Sequence, residues 1–230
     1  MKKKITLIVF ALLAICTLNV NAQEESSWST GVDIYSSYIW RGSKFGTGAA
    51  FQPSVKYNQS GFTLGAWGSA STGSEEAMEM DLFASYSVGG LSVTLTDYYF
   101  GGDWTEYKTM HSLEPSLSYG LGDLSLTAAY MFLPGMDADG ETPSTNFGSD
   151  GDSYFEAAYS FSHAKLTLGA GDGQYTRKDT DPEGKFNICN IGIGTSKEVK
   201  LTDSFSLPVS GSVILNPTTG GFFITVGLSL

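Results

Sequence analysis

Four times in this chain an alternating run closes on a tyrosine, crosses a few turn residues and resumes as a second alternating run. Tyr57, Tyr86, Tyr119 and Tyr159 close the first runs. The second runs read Phe62-Thr63-Leu64, Leu91-Ser92-Val93-Thr94-Leu95, Leu124-Ser125-Leu126-Thr127 and Leu166-Thr167-Leu168. The linkers Asn58-Gln59-Ser60-Gly61, Ser87-Val88-Gly89-Gly90, Gly120-Leu121-Gly122-Asp123 and Ser160-Phe161-Ser162-His163 have the composition of tight hairpin turns. A hairpin repeated with a tyrosine at fixed height, apolar on one face and rich in Ser and Thr on the other, fits a wall with lipid outside and water inside. It predicts an all-β fold, a transmembrane antiparallel up-and-down β-barrel.

Alternation predicts about twelve strands, near 32–41, 49–57, 62–70, 78–87, 91–99, 111–119, 124–132, 153–161, 165–171, 186–195, 205–215 and 222–230. Links after the second, fourth, sixth and eighth are short, and those after the fifth, seventh and ninth are long and rich in Gly, Asp, Thr and Pro. That asymmetry is expected of outer-membrane barrels, with short periplasmic turns and long outside loops. The link from Ser196 to Ser204 reads as a longer, charged exception. Met80-Leu82-Ala84-Tyr86, Leu91-Val93-Leu95 and Leu124-Leu126-Ala128-Tyr130 read as lipid-facing. Tyr57, Tyr86, Tyr119 and Tyr159 fall where a periplasmic aromatic girdle belongs, with Trp40, Phe100 and Phe132 placed in an outer one. Pro53, Pro115 and Pro208 oppose strand structure, since proline removes a ladder donor. Pro53 and Pro115 share a register four residues before a repeat tyrosine, which suggests a bulge used twice.

Lys2-Lys3-Lys4, the apolar stretch from Ile5 to Leu18 and the small residues of Val20-Asn21-Ala22 read as a cleaved signal peptide over 1–22. The expected mature barrel domain is 23–230. No later segment offers the roughly 20 apolar residues of a membrane-spanning helix, so insertion must use strands. Ile15 stands where a small residue normally precedes a lipoprotein cysteine, so Cys16 is not read as a lipidation site. Cys189 then has no disulfide partner in the chain and reads as a packed small residue. Three of the 13 basic residues lie in the leader and none of the 24 acids does, so the exported chain would carry about −14. That balance argues against nucleic acid as a partner. The acids at Asp137, Asp139, Glu141, Asp150 and Asp152, and at Asp172, Asp179, Asp181 and Glu183, read as a solvated rim. The first stretch lacks the glycine and glutamate spacing of a calcium loop, and neither a metal nor a cofactor is expected.

Five residues before each repeat tyrosine stand Gln52, Asp81, Glu114 and Tyr154, all on the lumen parity. Five residues of a tilted strand rise about 13 Å, which places these groups near mid-membrane. Asp33, Tyr35, Trp67, Glu79 and Glu156 join them as pore-lining candidates, with Arg41 and Lys56 the bases placed to answer the acids. Two readings stand side by side: a cation-favouring constriction, and a salt-bridged plug that holds the barrel shut. An enzyme is not expected. His111 and Ser112 are adjacent in a strand and point to opposite faces, and His163 lies at the periplasmic end, away from outer-leaflet lipid.

Ser36-Ser37-Tyr38-Ile39-Trp40-Arg41-Gly42, Gln52, the run Ser60 to Ser69 and Glu79-Met80-Asp81-Leu82 together resemble the TorF-type putative porins, small outer-membrane β-barrel proteins of unknown function. The likeness covers the first half, to about Tyr119. By it the Tyr-x-x-Arg-Gly motif maps onto Tyr38, Arg41 and Gly42, the Gly-x-x-x-Gly-x-Trp motif onto Gly61, Gly65 and Trp67, and the acidic motif onto Asp81. The resemblance implies a porin-like role and brings neither substrate nor catalytic residues. The expected function is passive diffusion of small hydrophilic solutes across the cell outer membrane, among lipid and lipopolysaccharide. The alternatives are a closed structural or adhesive barrel and a lipid-acting enzyme.

Overall fold

The computed structural model describes residues 27–73, 78–106, 110–131, 151–203 and 205–230. The signal-peptide reading, Phe132 and the acids from Asp137 to Asp150 lie outside them. The strands run β1 (Ser27–Tyr35), β2 (Tyr38–Trp40), β3 (Ser43–Phe45), β4 (Ala50–Gln59), β5 (Phe62–Ser71), β6 (Met78–Val88) and β7 (Leu91–Tyr99). They continue as β8 (His111–Leu121), β9 (Leu124–Tyr130), β10 (Ser153–Ser160), β11 (Lys165–Gly171), β12 (Asn187–Lys200), β13 (Ser206–Asn216) and β14 (Gly221–Ser229). All but β2 and β3 form a closed antiparallel barrel of twelve strands, and those two pair only with each other. Closure leaves no sheet edge, so each wall strand has a hydrogen-bonded neighbour on both sides.

Alternation sorts the faces. Met80, Leu82, Leu95, Leu117, Leu126, Leu166, Leu168, Ile191, Ile193, Ile224 and Val226 are exposed on the outside. Such a continuous apolar outer face is of the kind that barrels turn toward lipid, while Gln52, Asp81, Glu114, Tyr154 and Asn190 are buried on the inside. The repeat tyrosines all stand at the short-turn end; Tyr119 and Tyr159 are exposed, and Tyr57 stacks against Trp28 with ring centroids 5.1 Å apart.

Four expectations need correcting. The strand read over 32–41 stops at Tyr35, and residues 36–48 leave the wall, carrying β2 and β3. Trp40 therefore does not belong to an outer girdle: it packs inside against Tyr98 and Tyr175. Ser196 to Lys200 continue β12 as strand, so the link before β13 is short. The prolines are not bulges. The β4–β5 ladder skips Gln52 and Pro53 without changing register, the β8–β9 ladder begins at Ser116 beside Pro115, and the β13–β14 ladder begins at Val209 beside Pro208. Each missing N–H thus falls at a gap or an end of one ladder. The register shift of β11 against β12, between Gly169 and Ala170, makes Cys189 the unpaired extra residue, fully buried.

The seam between first and last strands is short. β1 meets β4 along Ser27–Tyr35, but meets β14 only from Asp33 to Tyr35. Backbone bonds between Val32 and Leu230, and from Ser36 N–H to the Val226 carbonyl at 2.8 Å, extend it at either end.

Candidate functional site

The loop between β1 and β4 folds into the lumen as the β2–β3 hairpin. Trp40 pairs with Ser43 across a two-residue turn, Arg41-Gly42, whose φ values are 51° and 82°. Two successive positive φ angles are what a type I′ hairpin turn demands, and arginine rarely accepts one. Gly42 is there of necessity: a Cβ would meet the Cys189 carbonyl oxygen at 1.9 Å. The bulge of β12 is thus the seat of the hairpin tip.

That turn presents Arg41 to the wall. Its Nη1 and Nη2 donate to Glu114 Oε2 and Oε1 at 2.6 and 2.8 Å, and Nη1 also donates to the Tyr175 hydroxyl at 2.6 Å. The guanidinium carbon lies 4.4 Å from the ring centroids of both Trp40 and Tyr154. A planar cation with a carboxylate on its edge and rings on its faces combines bidentate pairing with cation–π attraction. Tyr98 donates a further bond to Glu114 Oε1 at 3.1 Å. Tyr154 donates to Glu156 at 2.6 Å and accepts from Asn190 at 3.0 Å. Tyr175 comes from the 3₁₀ turn Gly173–Tyr175 after β11, and buried Asn216 holds it by donating to its carbonyl at 3.0 Å.

Asp81 lies two strands from Glu114 on the same inner face and shares none of this. It is 7 % exposed, and its Oδ1 has no hydrogen-bond partner among the described residues. Its cross-strand neighbours are Trp67 and Tyr98, with Glu79 two residues away on β6. Tyr38 of the hairpin packs on Trp67, ring centroids 5.7 Å apart. Gln52 donates to Ser69 at 3.3 Å, and Asp33 pairs with Gln52 across β1 and β4. Lys56 is exposed and takes no part in the ion pairs among the described residues.

Below the hairpin a cavity of about 680 Å³ opens at the β10–β11 turn and is lined by Tyr35, Glu156, Thr167, Asn190, Ser210 and Ser212. The structure therefore gathers Arg41, Glu114, Tyr154 and Glu156 into one network, keeps Trp67, Glu79 and Asp81 as a second group, and leaves Lys56 apart. Tyr98, Tyr175 and Asn190 were missed from the sequence, Trp40 was placed in a girdle, and Tyr38 was singled out only through the family motif. Tyr98 was accessible to the parity argument, since Ser92, Thr94 and Thr96 share its face. Tyr175 sits in a loop and carried no periodic signal.

His111 is on the outer face at the long-loop rim. Its Nδ1 contacts Asp97 Oδ1 at 2.9 Å and its Nε2 contacts the Trp104 carbonyl at 3.0 Å. Both ring nitrogens are engaged, which leaves neither to take a proton from Ser112 on the opposite face.

Two variants of the porin of Rh. blastica are similar in structure, at TM-scores of 0.40 and 0.34 and 11% identity, covering 90% of this chain and 99% of theirs. At these values the likeness adds nothing to the topology described above. No curated protein matches the chain. The family model described as "Bacterial protein of unknown function (Gcw_chp)" matches residues 20–206, and with four-fifths of its length so matched the chain belongs to the Gcw_chp family.

Proposed function

We propose that this barrel sits in the cell outer membrane, exported with a cleaved leader, and passes small hydrophilic solutes with a preference for cations. The observation that carries the reading is the polar cavity of about 680 Å³ that runs from the short-turn mouth to Glu156 and Asn190 beneath the hairpin. A lumen kept only for stability is better filled with apolar side chains, because each buried polar group costs desolvation. The hairpin is the constriction in this reading. Around it the acids Asp33, Glu79, Asp81, Glu114 and Glu156 outnumber Arg41, while Lys56 stands apart, so the local field favours positive solutes. Tyr57, Tyr86, Tyr119 and Tyr159 serve as the periplasmic girdle, where ring faces meet lipid and hydroxyls meet headgroups. The resemblance to TorF-type putative porins agrees with this role.

Reconstitution into planar bilayers tests it. The parent should conduct and favour cations, and Asp81→Asn combined with Glu79→Gln should reduce that preference, more at low salt than at high as screening takes over. A parent that never conducts would establish the closed structural barrel instead.

A further inference from the structure

Arg41 displays how this lumen holds a cation: a carboxylate along the guanidinium edge, aromatic rings over its plane. The same kind of surroundings recurs around Asp81. Trp67 on β5 and Tyr98 on β7 flank it as cross-strand neighbours, and Glu79 follows on the same face. Tyr38 stacks on Trp67 and interacts with both acids. No described base answers them. Arg41 is committed to Glu114, His111 lies outside against Asp97, and Lys56 is exposed elsewhere on β4. Asp81 is 7 % exposed and its Oδ1 has no hydrogen-bond partner among the described residues, so an ionised carboxyl here lacks the donors that bulk water would give it. Tyr98 does not help, since its hydroxyl proton goes to Glu114.

We infer that Asp81 and Glu79, walled by Trp67, Tyr38 and Tyr98, bind a small organic cation of the guanidinium or ammonium type that enters from solution. The proposal rests on the passage reading for how the cation arrives, but binding itself does not require conduction. The walls select this class. Aromatic faces attract weakly hydrated organic cations, whereas magnesium holds its water shell and needs more oxygen ligands than two carboxylates supply. The described residues bring together no group of three His, Cys, Asp or Glu side chains able to hold a metal ion. Glu79 is half-buried and Asp81 lies deeper, so the cation meets Glu79 first and then seats its donors on Asp81.

The full barrel in detergent micelles, shown to be folded by its heat-modifiable gel mobility, is titrated with methylguanidinium chloride at constant ionic strength by calorimetry and tryptophan emission. Sodium chloride is the control. Saturable binding in the millimolar range is expected; Asp81→Asn should weaken it about tenfold, the loss of one charge-assisted contact. Glu79→Gln and Trp67→Leu should each weaken it several-fold, and Asp203→Asn, at the exposed turn before β13, should not change it. Unaltered affinity in both Asp81→Asn and Glu79→Gln would overturn the site. So would a parent that binds neither methylguanidinium nor methylammonium, or one that responds equally to sodium. A barrel that binds but never conducts would remove the passage reading and leave this site standing, and one that conducts without saturable binding would do the reverse.

Discussion

Glu114 on β8 and Asp81 on β6 face one lumen with Tyr98 of β7 between them, and their surroundings differ at every point. Glu114 receives both arms of Arg41 and the Tyr98 hydroxyl; Asp81 has an oxygen with no described partner. Both are carried by wall strands at matching positions, and the wall distinguishes them only through the Tyr98 hydroxyl, which goes to Glu114. The difference is made by the β2–β3 hairpin, whose type I′ tip delivers a guanidinium to one acid and only the ring of Tyr38 to the neighbourhood of the other. A rigid wall supplies equivalent positions, and a folded-in loop decides which are neutralised.

Substitution can break that comparison. The largest effect is expected of Glu114→Gln, which strands a buried guanidinium; losing one partner of a buried pair costs on the order of 3–5 kcal/mol. The midpoint of heat-modifiable mobility should drop accordingly and leak through the barrel should rise. A change as mild as that of Asp81→Asn would refute the asymmetry. Gly42→Ala comes next. A positive φ costs a residue with a Cβ about 1–3 kcal/mol, and the close approach to Cys189 forces the tip from its seat, so limited proteolysis should cut the hairpin faster. Arg41→Lys keeps the charge but loses the fork, and unfolding midpoints should report a loss of about 1.5 kcal/mol, one hydrogen bond to a charged group. Asp81→Asn should change stability least, within about 0.5 kcal/mol of the parent or in its favour, because no described base pairs with the buried carboxyl it removes. If the proposed passage of cations holds, its effect should appear in ion preference, read as a shift in reversal potential across a salt gradient.

The wall was largely legible because its physics is local. Period-two alternation and turn chemistry marked strands such as 91–99 and 165–171 to the residue, and parity alone placed Asp81, Glu114 and Gln52 inside. The hairpin was not. Tyr38-Ile39-Trp40 alternates as well as any wall segment and merged with β1 in the reading of 32–41. What separates it is the break at Ser36-Ser37 and the left-handed backbone at Arg41, and no periodicity encodes either. Partner choice was also out of reach. Arg41 and Lys56 were equal candidates to answer the acids, since the contact of Arg41 with Glu114 spans 73 residues and depends on where a loop comes to rest. Asp97 and His111 lie on the outer face, where each pairs with the other at the rim.

The short seam ties the hairpin to the making of the barrel. Most wall strands meet partners close in sequence and can zip up in order, but β14 must find β1 across a span such as the 190 residues from Ser36 to Val226. Compared with a ten-residue loop, closing one so long costs roughly 2.6 kcal/mol more in chain entropy, and the ladder that rewards it covers only Asp33 to Tyr35. The hairpin's root makes up part of the deficit: Ser36 bonds Val226 through its backbone N–H and its Oγ, and Thr225 reaches the Ser37 carbonyl at 3.4 Å. Closure of the wall is therefore the pairing with the largest loop-closure cost, and the clasp that fastens it is the base of the segment lodged in the lumen. A hairpin pulled from its seat would loosen the seam with it, so that clearing the lumen and unzipping the barrel sideways draw on the same few bonds.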